Sequence, residues 1–320
     1  MSSFKEMYAA QNAAGKYVCV GLDPDLSKLP NAITDPYNGS AVLTFLTEII
    51  DRTIEFAAAY KPQSAYYEAL GDDGPKVLRE VIACIRDRDP NVPIILDYKR
   101  GDIGNTNKPY VEYAFDYLGV DAVTVHPYLG QEAMQPFLDR TDKTIIVLCR
   151  TSNSGAGEFQ DVMCSAYFDP TTGKVYSTPA QAMREDGINI ELQLTELPLY
   201  QFVALRVARS WNKAGNCAIV VGATYPAELG AVRKVVGDDV MILIPGIGAQ
   251  GGDLAASISN GHDSSGFGII LNNSSGINFA FATLKNDDGE LLYSDAEWGK
   301  AAGEAARRMN EAIKSHLTTS

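Results

Sequence analysis

Short apolar runs alternate with longer amphipathic stretches along almost the whole chain, a pattern typical of βαβ units and a parallel sheet. Eight runs are short and apolar enough to be buried strands: Tyr17–Leu22, Ala58–Lys61, Val92–Asp97, Ala122–Val125, Thr144–Cys149, Cys217–Val221, Val240–Ile244 and Gly268–Leu271. The intervening and final stretches predict helices over 41–58, 75–88, 103–118, 131–138, parts of 178–213, 226–236, 252–259 and 293–316. Eight strand–helix repeats predict a (β/α)8 TIM barrel, which typically takes about 250 residues.

The residues beyond that length fall mainly in one insertion, between the fifth and sixth strands, over 151–216. Within it, Ala166–Phe168 and Lys174–Ser177 flank a turn at Asp169–Gly173. This arrangement predicts a small hairpin at the mouth of the barrel, although an irregular loop would fit the same residues. No tandem repeat or Pro/Ser-rich linker divides the 320 residues, so we expect a single domain over 1–320.

Composition narrows the class of partner. The chain has 27 Lys and Arg against 40 Asp and Glu, a net charge of -13, so it lacks a general electrostatic footprint for nucleic acid or an anionic membrane. No apolar run reaches the roughly 18 residues of a membrane span, and no secretory pattern opens the chain, so we expect a cytoplasmic protein. Five scattered cysteines and three distant histidines argue against a metal site built from those residues. An anionic substrate would need a local cluster of donors.

The end of the third strand carries the most informative charges. Asp97 and Lys99 are two residues apart on the strand, so their side chains share one face. In a parallel barrel that face is the interior, and these residues lie at the end where barrel enzymes keep catalytic residues. Lys61 ends the second strand and Asp23 follows the first, which predicts an alternating charge network that is costly to bury unless it is mutually satisfied. An ion pair that only stabilises the rim is the alternative. Asp102 lies beyond the strand, where it could cap the next helix or reach a neighbouring subunit.

A glycine-rich loop follows the seventh strand. Gly246, Gly248 and Gly251 match the spacing G-x-G-x-x-G. A dinucleotide-binding fold would place that motif after an early strand, with a carboxylate about 20 residues later, and neither condition holds. Barrels often bind phosphate through the loops after strands seven and eight, so we interpret the loop as a phosphate cradle. A tight structural turn is the alternative.

These segments together resemble the orotidine 5'-phosphate decarboxylase family, in particular its longer bacterial and protozoan branch. The resemblance is carried, in order along the chain, by Gly21-Leu-Asp-Pro-Asp25, Lys61-Pro-Gln-Ser-Ala-Tyr-Tyr-Glu68, Asp97-x-Lys99-x-x-Asp102, Arg150-Thr-Ser-Asn153 and Pro245-Gly-Ile-Gly-Ala-Gln-Gly-Gly252. It implies a homodimeric (β/α)8 barrel that converts orotidine 5'-monophosphate to UMP and CO2, the last step of de novo pyrimidine synthesis. It also implies that neither a metal nor an organic cofactor is needed.

The resemblance also implies roles for individual residues. Lys99 would protonate C6 of the pyrimidine, Asp97 would crowd the substrate carboxylate, and Lys61 would complete the network with Asp102, which comes from the other subunit. Asp23 and Lys61 would hold ribose hydroxyls. Ser152 would bind the pyrimidine edge, and Gly248 and Gln250 the phosphate. The full set expected to bind substrate is Asp23, Gln63, Thr106 (from the other subunit), Ser152, Gly248, Gln250, Ser274 and Ser275.

One departure from the family pattern concerns the phosphate. The family usually has an arginine shortly after strand eight, whereas no arginine follows Leu271 until Arg307 in this chain. Ser274, Ser275 and backbone amides could replace it, phosphate affinity could be weaker, or Arg150 could reach the site. Two other functions stay open: a metal-dependent sugar-phosphate enzyme that shares the D-x-K-x-x-D motif, and an inactive barrel that binds a nucleotide.

Overall fold

Eight parallel strands form the barrel in a computed structural model that describes residues 3–35, 37–188, 191–247 and 251–317. The strands of the described residues are β1 (Val18–Leu22), β2 (Ala57–Pro62), β3 (Ile95–Arg100), β4 (Ala122–Val125), β5 (Thr144–Arg150), β6 (Met163–Phe168), β7 (Val175–Tyr176), β8 (Gln193–Pro198), β9 (Cys217–Val221), β10 (Met241–Ile244) and β11 (Ile269–Asn273). The barrel order is β2-β1-β11-β10-β9-β5-β4-β3, and isolated parallel bridges between Tyr60 and Ile94 and between Gln63 and Asp97 join the two ends. The predicted strands and the TIM barrel are confirmed.

Helices follow the barrel strands, as the sequence predicts. They are α1 (Phe4–Ala13), α2 (Gly39–Thr53), α3 (Ser64–Glu68), α4 (Gly74–Arg88), α5 (Gly104–Val111), α6 (Gly130–Leu138), α7 (Gly157–Gln160), α8 (Pro179–Asp186), α9 (Leu199–Arg206), α10 (Pro226–Val236), α11 (Leu254–Gly261), α12 (Ser275–Asn278) and α13 (Trp298–Leu317). The helix predicted over 41–58 ends instead at Thr53. The alanines after it enter β2 because burial inside the barrel overrides their helix propensity.

The first helix, α1, is an element that the sequence pattern did not predict. Its residues Phe4 and Tyr8 are almost fully buried and join the cluster of inward-facing strand residues, among them Cys19 and Ile270. Ser3 caps the helix, and its side chain exchanges hydrogen bonds with Glu6. Because α1 leads directly into β1, it fills the barrel interior from the N-terminal end of the strands, which leaves the opposite end for chemistry.

The insertion contains an antiparallel sheet of three strands in the order β7-β6-β8. The predicted hairpin is confirmed, since Phe168 pairs with Val175 and the Asp169 carboxylate accepts a hydrogen bond from the Thr171 amide at 2.8 Å. Strand β8 was not predicted, because most of its side chains are exposed and no apolar alternation marks it. In the parts of the chain that the structure describes, no helix is long and apolar enough to cross a membrane.

Gly21 has no side chain, which permits β1 to lie close to the residues after β11. A Cβ atom at Gly21 would lie 2.8 Å from the Ser274 Cα and closer still to its side chain. We expect Gly21→Ala to lower the free energy of unfolding by about 1–3 kcal/mol, as overpacking usually does. Urea unfolding measures this, with Gly155→Ala as the control because its Cβ would lie 3.8 Å from its nearest neighbour, the Asn153 side chain. Equal stability of the two variants would contradict the prediction.

Candidate active site

A buried carboxylate, Asp97 on β3, organises the C-terminal end of the barrel. Its Oδ2 lies 3.1 Å from the Lys61 Nζ, and its Oδ1 lies 2.6 Å from the Lys99 Nζ. The Thr124 hydroxyl donates to Oδ1 at 2.6 Å, and the Gln63 amide donates to Oδ2 at 3.5 Å. The sequence prediction that Lys61, Asp97 and Lys99 meet at one site is therefore confirmed.

The charges of this network stabilise one another. Burial opposes ionisation of Asp97, but the nearby Lys61 and Lys99 ammonium groups prevail and hold the pKa of that carboxyl well below its ordinary value. Burial likewise disfavours the charged form of Lys61, yet Asp97 and Asp23 raise the pKa of Lys61 above its ordinary value. Asp97 and Lys61 are therefore both ionised at neutral pH.

The two lysines differ in exposure. The Lys61 side chain is 4% exposed, whereas the Lys99 side chain is 43% exposed and lines the cavity beside Asp97. Lys99 also has a φ of 47°, and no other non-glycine residue in the described ranges has a positive φ. Such backbone conformations cost about 1–3 kcal/mol and are concentrated at functional sites. Lys61 is therefore placed to hold Asp97, and Lys99 to meet a ligand.

Asp23, directly after β1, is a second carboxylate at this end. Burial raises the pKa of Asp23, and the Lys61 ammonium only partly offsets that effect. Its Oδ1 is buried and has no hydrogen-bond partner among the described residues. Because an unsatisfied buried carboxylate oxygen is costly, this atom is available to a ligand hydroxyl.

These side chains line a cavity of about 570 Å³ at the C-terminal ends of the strands. That volume suits a small ligand. The predicted substrate-binding residues that line it are Asp23, Gln63, Ser152, Ser274 and Ser275. The sequence pattern did not predict other lining residues, including Lys28, Tyr66, Thr124, Asn272 and Asn273. Thr124 could have been found, because it alternates with the inward-facing Ala122 on β4. Lys28 carries no such signal, since it lies in a turn.

Other predicted residues lie away from this cavity. The Asp102 carboxylate accepts a hydrogen bond from the Ile103 amide at 2.6 Å, and Thr106 is exposed on the first turn of α5. Neither residue lines the cavity, in keeping with the expected outward reach of Asp102. Arg150, offered as a replacement phosphate ligand, is 2% exposed, pairs with Asp161 at 3.1 Å and does not line the cavity either.

The glycine loop after β10 contacts the cavity through its first residues. Gly246 and Ile247 line the cavity, and the Gly252 amide donates to the Gly246 carbonyl at 3.2 Å. A Cβ atom at Gly252 would lie 2.7 Å from that carbonyl oxygen, so the closure of the loop requires glycine there. Gly248 and Gln250, predicted to contact phosphate, lie outside the described residues.

Candidate metal ligands do not cluster in the part of the chain described here, which has no group of three or more His, Cys, Asp or Glu side chains arranged to hold an ion. All five cysteines are free thiols, and burial raises the pKa of each.

Comparisons with known proteins agree with this geometry. The family model for the orotidine 5'-phosphate decarboxylase / HUMPS family matches residues 16–261. An orotidine 5'-phosphate decarboxylase of Janthinobacterium is 40% identical over 317 residues, covering 99% of this chain and 100% of that protein. One from Ralstonia pickettii is 40% identical over 276 residues, covering 86% of this chain and 89% of that protein. The structure of Leishmania donovani OMP decarboxylase has a TM-score of 0.75 at 30% identity and covers 99% of both chains. The chain therefore belongs to the orotidine 5'-phosphate decarboxylase / HUMPS family.

Proposed function

We propose that this chain decarboxylates orotidine 5'-monophosphate to UMP and CO2, the last step of pyrimidine biosynthesis, without a metal or an organic cofactor. The observation that carries the proposal is the half-exposed Lys99 ammonium, which lies at the cavity 2.6 Å from a buried Asp97 carboxylate. The names of the relatives at 40% identity support the same reaction.

Lys99 supplies the charge and the proton that this reaction needs. The bond between C6 of the pyrimidine and its carboxylate breaks, the electron pair stays on C6, and CO2 departs. A cation beside C6 stabilises the developing carbanion more than it stabilises the neutral ring, which lowers the barrier. The Lys99 ammonium then donates a proton to C6 to give UMP, and the neutral amine regains its proton from water.

Asp97 contributes through its fixed negative charge. A substrate carboxylate placed about 4 Å from the Asp97 carboxylate would be repelled by roughly 4 kcal/mol at an effective dielectric constant near 20. That repulsion is lost as CO2 leaves, so it favours the transition state over the bound substrate. Lys61 keeps Asp97 ionised and in place by an ion pair of 3.1 Å, which prevents the carboxylate from escaping the repulsion by taking up a proton.

The remaining residues bind the rest of the substrate in this proposal. The unpartnered Oδ1 of Asp23, with Lys61 beside it, accepts a hydrogen bond from a ribose hydroxyl. Ser152 at the cavity wall binds the pyrimidine edge. The phosphate lies at the loops after β10 and β11, where Ser274 and Ser275 line the cavity; Gly248 and Gln250, outside the described residues, stay predicted phosphate contacts.

A homodimer with shared sites is part of the proposal. Asp102 and Thr106 lie beside the exposed Ile103 and away from the cavity of their own subunit. A second copy that covered this surface would bring Asp102 of the partner subunit to Lys99, and Thr106 of the partner subunit to the ribose. The one-domain organisation over 1–320 and the cytoplasmic location stay predictions.

A metal-dependent sugar-phosphate enzyme is the second candidate, because the name of the matching family model covers two activities. The two are separated by following the absorbance of orotidine 5'-monophosphate with and without a chelator such as EDTA. We expect the absorbance to bleach at the same rate in both, since Lys99 supplies both the charge and the proton in this proposal. Bleaching that EDTA abolishes would contradict a reaction without a metal, and no bleaching without UMP binding would favour the sugar-phosphate enzyme. UMP binding without any bleaching would instead indicate an inactive nucleotide-binding barrel.

Removal of the Lys99 ammonium tests the proton donor. We expect Lys99→Ala to lower kcat at least about 10³-fold, because both the electrostatic stabilisation and the proton are lost. The circular dichroism spectrum should be unchanged, since this side chain is half exposed. Lys16→Ala is the control, because Lys16 pairs with Asp89 outside the cavity and should retain full activity. Substantial decarboxylation by the Lys99 variant would exclude the assigned role.

Mixing two inactive variants tests the shared site. Asp97→Ala and Asp102→Ala subunits should each form inactive homodimers, whereas a hybrid dimer has one site with both carboxylates intact. Random exchange at equal concentrations should restore about a quarter of wild-type activity, because half of the dimers are hybrids with one of two sites functional. Subunit exchange is monitored with a mass tag. Complete exchange without recovered activity would contradict a shared site, and an active Asp102→Ala homodimer would show that Asp102 is not needed at either site.

A further inference from the structure

Three lysines line the cavity, and one of them takes no part in the Asp97 network. Lys61 and Lys99 both pair with Asp97. Lys28 instead belongs to the 3-10 turn Leu26–Lys28 after β1, and its Nζ lies 5.7 Å from the centre of the Phe279 ring, which directly follows α12. Because β1 pairs with β11, this turn brings a positive charge to the side of the cavity formed by the residues after β11.

The residues after β11 provide no cation of their own at the cavity. No arginine follows β11 until Arg307, and the lining residues there, Ser274 and Ser275, are neutral, as is Asn273 at the end of β11. A side chain at Gly276 would meet the Asn273 amide, since its Cβ would lie 2.7 Å from the Asn273 Oδ1. That oxygen already accepts a hydrogen bond from the Gly276 amide at 3.1 Å. A phosphate held here therefore needs its countercharge from another element.

Lys28 can leave its present partner at little cost. Its ammonium lies 2.7 Å from the Asp25 carboxylate, but the Lys28 side chain is 58% exposed, and exposed ion pairs contribute little to stability. Asp25 would stay in place without Lys28, because its Oδ1 accepts hydrogen bonds from the Ser27 amide at 3.1 Å and from the Ser27 hydroxyl at 2.7 Å. The carboxylate thus holds the lysine at the cavity mouth, and the flexible stem allows the ammonium to turn inward.

We propose that Lys28 binds the 5'-phosphate of the substrate, moving from Asp25 to the phosphate when the nucleotide enters the cavity. This assignment rests on the proposed function, because it takes a phosphorylated nucleotide as the ligand. Lys28 is then a residue that determines specificity for the phosphorylated substrate, while Lys61 and Lys99 act at the reacting end. In this assignment, separate cations recognise the phosphate and the carboxylate of the ligand.

Lys28→Met tests the assignment against a matched control. Lys300→Met is that control, because Lys300 is also 58% exposed and also pairs with a carboxylate three residues away, Glu297, but lines no part of this cavity. For orotidine 5'-monophosphate we expect kcat/KM to fall about 10- to 100-fold in Lys28→Met, the loss typical of a charge-assisted hydrogen bond. Lys300→Met should match the wild type, and Lys28→Arg should recover most of the loss.

Calorimetric titration with UMP and with uridine separates phosphate binding from a structural role. Lys28→Met should weaken UMP binding by the same factor and leave uridine binding unchanged. Equal weakening for both ligands would mean that Lys28 only supports the fold, and unchanged UMP affinity would mean that Lys28 does not bind the phosphate. Either result would overturn the assignment but not the proposed function, provided that the wild-type enzyme decarboxylates its substrate. A wild-type protein that neither turns over orotidine 5'-monophosphate nor binds UMP would overturn the proposed function itself, and this assignment with it.

Discussion

The ion pairs of the buried Asp97 carboxylate with the Lys61 and Lys99 ammonium groups are the interaction on which the C-terminal end of the barrel, with its cavity, depends. Asp97 lies at the seam between β2 and β3, which is joined by isolated bridges rather than by a continuous ladder. The Lys61–Asp97 ion pair crosses the same seam as the Gln63–Asp97 bridge. Removal of Asp97 would take away the ion-pair partner of the buried Lys61 and of Lys99, so the network joins the closure of the barrel to the cavity.

Several energetically unfavourable features are concentrated at this end of the barrel. Lys99 has a left-handed backbone conformation, and a buried oxygen of Asp23 has no partner in the described structure. The opposite end is apolar, where Phe4 and Tyr8 of α1 pack against the inward-facing strand residues. Strain and unsatisfied groups at this end are offset by the apolar core at the other, and a ligand that satisfied them would gain binding energy.

Because the chain has a net charge of -13, the binding of an anion depends on where the cations lie at the cavity. A ligand that carries a phosphate and a carboxylate meets a repulsive overall field, so local ammonium groups must capture it. Lys28 and Lys99 are each paired with a carboxylate before a ligand arrives, Asp25 and Asp97 respectively. The exposure of both lysines allows them to face an anion, whereas the buried Lys61 remains with Asp97. Exposure thus separates Lys28 and Lys99, which we propose to contact ligand, from the buried Lys61, which pairs with Asp97.

The sequence by itself determined the eight strands, the barrel and the meeting of Lys61 with Asp97, because inward-facing residues alternate along each strand and parallel strands end at one rim. It did not determine α1 or β8, whose roles depend on packing that no local apolar pattern reveals, or whether Arg150 reaches the cavity. Only the tertiary structure brought Lys28 to the side of β11, because that contact requires the first and last strands of the barrel to pair across more than 200 residues of chain.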